Sequence, residues 1–148
     1  MNGKIEKNFP NLTDLNTFRH WTPVSLRFSD QDSLGHINNV AYAAYVEQAR
    51  VALFEKLGRP KDDQIDYILA NLQIDYRREM HFPGNVNVGA CLLKIGTKSI
   101  TTGYGLFKDA ETIATASSVN VFFNTSTRAS VAISDDLRRD LERELRGD

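Results

Sequence analysis

Asn39-Val40-Ala41-Tyr42-Ala43-Ala44-Tyr45-Val46-Glu47-Gln48-Ala49-Arg50-Val51-Ala52-Leu53-Phe54-Glu55-Lys56-Leu57 is the stretch that decides the fold. It contains no proline or glycine and is apolar around most of a helical circumference, so it reads as one long helix. Asn38 or Asn39 can cap its start, Gly58 suits the left-handed residue after its end, and Pro60 stops it. A helix this apolar cannot lie on a surface, so the remaining chain must wrap it on nearly all sides.

The sequence after the helix supplies the wrapping. Ile68, Ala70, Leu72, Ile74 and Tyr76 alternate with polar neighbours such as Asn71, Gln73, Asp75 and Arg77, which predicts a strand over 68–78 that ends before a turn at Pro83-Gly84. Further strands are expected over 86–95, 99–107 and 112–123, punctuated by Gly96-Thr97 and Lys108-Asp109. Strands joined by such tight turns form an antiparallel meander. Ser134-Asp135-Asp136 then opens a charged C-terminal helix over 134–148, with a cap and acids that suit the helix dipole. Upstream, Leu26 and Phe28 on one face predict a short strand over 24–29, and residues 1–20 read as a polar lead-in. The expected architecture is a single α+β domain over 1–148, a central helix against one curved antiparallel sheet. That layout leaves a helix face and a sheet edge uncovered, which predicts self-association as a homodimer or homotetramer.

Composition excludes several classes. With 41% hydrophobic and 25% charged residues and a formal net charge of −1, the chain gives no electrostatic reason to expect nucleic acid or a membrane surface, and no run is long and apolar enough to predict membrane insertion. Cys91 is the one cysteine, so an internal disulfide is ruled out. That single thiol and the lack of an apolar signal core point to a cytoplasmic protein.

Chemistry concentrates just before the helix, in Asp30-Gln31-Asp32-Ser33-Leu34-Gly35-His36-Ile37-Asn38-Asn39-Val40-Ala41-Tyr42. A turn of this kind sets carboxylates beside the free N–H groups of a helix start, as attack on a carbonyl requires. The pattern resembles the hot-dog-fold thioesterases, in particular the 4-hydroxybenzoyl-CoA thioesterase-like group and the related acyl-ACP thioesterases. Asp30-Gln31-Asp32, Gly35-His36-Ile37-Asn38-Asn39 and Tyr42 carry the resemblance in order and spacing. Tyr76-Arg77-Arg78-Glu79 is similar to a motif of the acyl-ACP branch, and Asn124-Thr125-Ser126-Thr127-Arg128 with Ile133-Ser134-Asp135-Asp136-Leu137-Arg138 is similar to the family's closing segment. The resemblance implies a central helix wrapped by a sheet, sheets paired edge to edge in a dimer, and sites at the dimer interface. It also implies Asp32 as the catalytic carboxylate, N–H groups around Asn39 that polarise the thioester carbonyl, and parts for His36 and Glu79. The chain departs from the acyl-ACP branch at Leu34, where that branch has an asparagine. It departs from the aryl-CoA type by having the His36-Ile37-Asn38-Asn39 run.

The chemistry stands without the resemblance. A thiol, with a pKa of about 8.5, leaves far more readily than an amine. One carboxylate can then activate water or attack directly, with no Ser-His-Asp relay. No Gly-x-Ser-x-Gly elbow occurs in the chain, which agrees. The resemblance makes Asp32, His36, Asn39 and Glu79 the candidate catalytic residues. Gly35, Asn38, Tyr42, Lys94, Lys98 and Arg128 are the candidate substrate-binding residues, the last three for the phosphates of CoA. Plainer roles compete at each position. Asp30 reads as structural, holding Arg27 or the loop backbone. His36 fits equally a packed histidine bonded to backbone, Asn38 and Asn39 fit simple capping, Tyr42 fits the core, and Glu79 fits an exposed ion pair. Cys91 reads as a small core residue.

No cofactor is required by this reading, and no metal. Asp30, Asp32 and Gly35 imitate a calcium loop, but Leu34 and Ala41 occupy two positions that need ligands. His20, His36 and His81 lack the spacing of a zinc site. The expected partner is an acyl-CoA or acyl-ACP substrate, hydrolysed to acid and thiol. Two other functions share the fold. His81-Phe82-Pro83-Gly84 is similar to a signature of hot-dog 3-hydroxyacyl thioester dehydratases, although here it follows the helix instead of preceding it. A non-catalytic acyl-thioester binder is the other.

Overall fold

The computed structural model describes residues 9–58 and 60–147. Helix α1 spans Ala41–Leu57 and ends at Gly58, whose φ of 95° is one that glycine adopts freely. The Asn38 side chain accepts the Val40 N–H at 3.1 Å in the turn that leads into the helix, while Val40 itself stands at the cap position and makes no side-chain cap bond. Strands β1 (His20–Ser25), β2 (Ile65–Tyr76), β3 (Asn85–Ile95), β4 (Ser99–Lys108), β5 (Glu111–Asn124) and β6 (Ala129–Ser130) form one antiparallel sheet. Its order is β1-β3-β4-β5-β2, with β6 added to the end of β5. Register shifts at Leu69/Asn71, Leu92/Lys94 and Leu106/Phe107 bend the long strands. The curved sheet wraps α1, which buries Tyr42, Tyr45, Val46, Ala49, Leu53 and Phe54 against Val86, Val88, Ala90, Ile100, Leu106 and Phe122. This is the hot-dog fold that the resemblance implies. Helix α2 (Asp135–Arg146), capped by Ser134, lies over β3 and adds Leu137 and Leu141 to the same core.

One expectation needs correction. The first strand lies earlier than residues 24–29. It runs from His20 to Ser25, and the chain then turns through a 3-10 segment at Phe28–Asp30. Leu26 is buried while Phe28 is 76% exposed, because the turn breaks the alternation on which that reading rested.

Of the polar lead-in, residues 1–8 lie outside the described part. Residues 9–19 lie against the outer face of the sheet, where Phe18 is buried in an aromatic cluster with Trp21 and Phe107. Gly89 and Gly105 make room for it. A Cβ on Gly89 would meet the Phe18 ring at 2.5 Å, and one on Gly105 would meet the Leu12 carbonyl at 2.6 Å. Arg19 and His20 both reach Glu144 on α2, tying this segment to the other end of the chain.

At the edge of the sheet, β2 pairs with β5 on one side only among the described residues. Ile68, Leu69 and Tyr76 on this strand are exposed. Along α1 it is held by the Tyr76 hydroxyl, which donates to the Asn39 carbonyl at 2.9 Å, and by the stacking of Tyr67 on Phe54.

Candidate active site

Asp30 is the fixed point of the loop before α1. Its side chain is nearly inaccessible and accepts from the Arg27 N–H, from Arg27 Nε and Nη2, and from the Tyr45 hydroxyl at 2.7 Å. Its carbonyl accepts the Asn38 N–H at 2.8 Å. Burial alone would raise the Asp30 pKa, but the hydrogen bonds from Tyr45 and Arg27 outweigh it and hold the carboxyl below its usual range. Burial first, and then the bond to Asp30, pushes the Tyr45 hydroxyl upward.

Two residues on, Asp32 closes a short hairpin with His36. The Asp32 N–H donates to the His36 carbonyl at 2.9 Å, and the Gly35 N–H to the Asp32 carbonyl at 3.1 Å. Gly35 takes φ of 80°, which this turn needs. The Asp32 side chain accepts from the Leu34 N–H at 2.9 Å and the His36 N–H at 3.3 Å, both through Oδ1. No donor among the described residues engages Oδ2, which leaves that oxygen available. Asp30 and Asp32, two residues apart, thus stand in different surroundings.

The hairpin faces the segment that follows β2. Met80 is buried, and its carbonyl accepts the Ile37 N–H at 2.7 Å. This bond clamps the two backbones side by side and brings Glu79 Oε2 to 2.8 Å from His36 Nε2. Between them opens a cleft of about 460 Å³, lined by Asp32, His36, Asn39, Tyr42, Glu79 and the motif residues Tyr76, Arg77 and Arg78. At its base begins α1. The N–H groups of Asn38, Val40 and Ala41 are occupied, whereas the Asn39 N–H meets no acceptor among the described residues. Tyr42 is buried against Tyr76, and burial pushes its hydroxyl up to about 12, so it stays a neutral wall at physiological pH.

Of the candidates from sequence, Asp32, His36, Asn39, Tyr42 and Glu79 meet at this cleft. Asn38 and Gly35 shape the loop beside it. Lys94, Lys98 and Arg128 do not line it within one protomer: Lys98 reaches Ser130, and Arg128 lies over the Phe123 ring at the far end of β5. The cations that do line it are Arg77 and Arg78, bonded to Thr115 and facing Glu111. Their signal was present in the Tyr76-Arg77-Arg78-Glu79 motif, of which only Glu79 was singled out. His81 adjoins the group as well, with Nδ1 3.1 Å from the Gly35 carbonyl. Cys91 lies elsewhere, on β3, where burial pushes its thiol up to about 11, so it is a poor nucleophile.

Residues 26–141 match the thioesterase-like superfamily, and the chain belongs to it. A curated relative, YsmA of Bacillus subtilis (strain 168), is 32% identical over 89 residues, which span 60% of this chain and 60% of that protein's length. The solved structure of the PA5185 protein from Pseudomonas aeruginosa strain PAO1 is similar with a TM-score of 0.76 and 28% identity, covering 87% of this chain and 93% of that one. A protein from Bacillus stearothermophilus described as a predicted thioesterase matches with a TM-score of 0.75 and 26% identity, over 84% and 95% of the two chains. Family and neighbours support thioester hydrolysis as the class of activity.

The Asp30 anchor yields a stability test. A carboxyl whose folded pKa is depressed adds stability above its unfolded value of about 3.9, and that contribution is lost as pH falls through the lower folded value. Asp30→Asn should lower unfolding stability near neutral pH by about 1.5–3 kcal/mol. It should also flatten the acid limb of stability against pH, measured by urea unfolding from neutral pH to pH 3. An unchanged acid limb would mean that Asp30 does not hold the loop.

Proposed function

We propose that the protein hydrolyses an acyl-CoA or acyl-carrier-protein thioester to the free acid and thiol. The observation that carries this is that Asp32, whose Oδ2 no described donor engages, and Asn39, whose N–H meets no described acceptor, line one cleft at the start of α1. A thioester carbonyl directed at that N–H has its developing oxyanion stabilised by the helix start. Asp32, fixed through Oδ1, presents its other oxygen either to a water or to the carbonyl carbon itself. The thiolate leaves without needing strong acid assistance. His36 and Glu79, paired across the mouth of the cleft, orient the substrate. Arg77 and Arg78 supply positive charge for the phosphates of the carrier group.

The dehydratase alternative fares worse on geometry. It calls for an acid on the central helix facing the substrate, and Glu47, the carboxylate in the middle of α1, is exposed and reaches Arg50 instead. His81-Phe82-Pro83-Gly84 lies between β2 and β3, after the helix.

Assay of free thiol release from a panel of saturated acyl-CoAs tests the assignment, since these substrates offer no water to eliminate. Thiol release is expected, with no enoyl product from 3-hydroxyacyl-CoA. Enoyl formation with saturated esters untouched would establish the dehydratase. Tight acyl-CoA binding with neither reaction would establish the binder.

The open edge of β2 supports the expected dimer. Twofold antiparallel pairing of β2 with its copy would cover Ile68 and Leu69. It would also bring the Ile65 end of one copy, with Lys98 and Arg128 nearby, toward the Tyr76 end and cleft of the other. Sedimentation at micromolar concentration should then show no dominant 16.7 kDa species. A stable, active monomer would refute pairing as a requirement of the site.

A further inference from the structure

His36, Glu79 and His81 lie far apart in type of element and close in space. Glu79 and His81 flank the buried Met80, and both of their side chains are exposed. The Ile37 N–H bond to the Met80 carbonyl sets His36 opposite them. Nε2 of His36 is 2.8 Å from one Glu79 oxygen, Nε2 of His81 is 3.4 Å from the other, and one ligand atom from each residue falls within 4.8 Å of the rest. Ligand atoms about 2.0–2.2 Å from a tetrahedral zinc stand roughly 3.3–3.5 Å from one another, so small side-chain movements suffice to surround an ion.

The ring of His81 is oriented for this. A carbonyl only accepts, so the bond to the Gly35 oxygen at 3.1 Å requires the proton on Nδ1. In the neutral ring the lone pair then sits on Nε2 and faces a carboxylate oxygen. A cation placed between them turns an unfavourable juxtaposition into two coordinate bonds. An imidazole fixed by a carbonyl on its outer nitrogen is the usual arrangement of a metal-bound histidine.

We propose that His36, Glu79 and His81 form a binding site for a divalent d-block cation such as zinc or cobalt, and that its occupancy inhibits hydrolysis. Two imidazoles and one carboxylate suit these ions and not magnesium or calcium, which prefer all-oxygen shells. Three protein ligands leave room for water, and the site opens to solvent at the rim of the cleft. An ion there takes up His36 Nε2 and Glu79, the pair that orients the substrate, and so removes them from that task. The inhibitory effect rests on the hydrolase reading, whereas binding of the ion does not.

The test uses the full chain, free of any histidine tag and stripped with chelator, titrated with cobalt by visible absorption and with zinc by calorimetry. One equivalent should bind, without the near-ultraviolet sulfur charge-transfer band that Cys91 ligation would give. His81→Ala and Glu79→Gln should each weaken binding at least tenfold. Metal-free His81→Ala should hydrolyse thioesters within a few-fold of the parent and escape inhibition by zinc. Failure to bind below millimolar ion, or equal affinity in the parent and His81→Ala, would overturn the site. Inhibition by zinc as strong in His81→Ala as in the parent would overturn the inhibitory role. Binding as expected in a metal-free protein that cleaves no thioester would leave the site standing and refute the hydrolase reading instead.

Discussion

The hydrogen bond from the Tyr45 hydroxyl to Asp30 is the constraint on which the site depends. It joins the second turn of α1 to the loop that precedes the helix, and it does so from within the core. Arg27 completes the shell of the carboxylate from the other side, and the Asp30 carbonyl receives the Asn38 N–H. With those bonds made, the chain has one path from β1 to the helix. Asp32 and His36 are then placed by the hairpin, and the Asn39 N–H by the helix start. Two carboxylates two residues apart thus sit in different surroundings, Asp30 buried with both oxygens engaged and Asp32 held through Oδ1 alone.

The long helix, the three-strand meander and the capped C-terminal helix could all be read in the chain because each depends on local periodicity and on punctuation by Gly58, Gly96 and Ser134. The first strand could not. His20, Trp21 and Thr22 carry little alternation, and their partner Gly89 has no side chain to signal what packs on it. The covering of the outer sheet face by Leu12 and Phe18 was invisible for the same reason. Gly103 and Gly105 read as gaps in a strand, when they are the floor on which those side chains rest.

Within the site, residues close in sequence to the helix start could be placed from the sequence, since a hairpin and a helix cap have few geometries. Glu79 came from its motif. Arg77 and Arg78 stand in the same motif, whereas His81 required the pairing of Ile37 with Met80, a contact across more than forty residues that no local pattern announces. Lys98 and Arg128 show the opposite case, basic residues of suitable chemistry that strand order carries to the far end of the sheet from the cleft.

The central claim is that Asp32, held by one oxygen and free by the other, does the chemistry. Steady-state hydrolysis of the best acyl-CoA by Asp32→Asn, beside the parent and with thermal unfolding recorded for both, tests it most directly. The amide can keep the Oδ1 bonds to Leu34 and His36 but cannot act as base or nucleophile. The account predicts an unchanged melting temperature and a turnover lower by about 10²–10⁴, equivalent to roughly 3–5 kcal/mol of barrier. Turnover within a few-fold of the parent would contradict it and make Asp32 a loop residue.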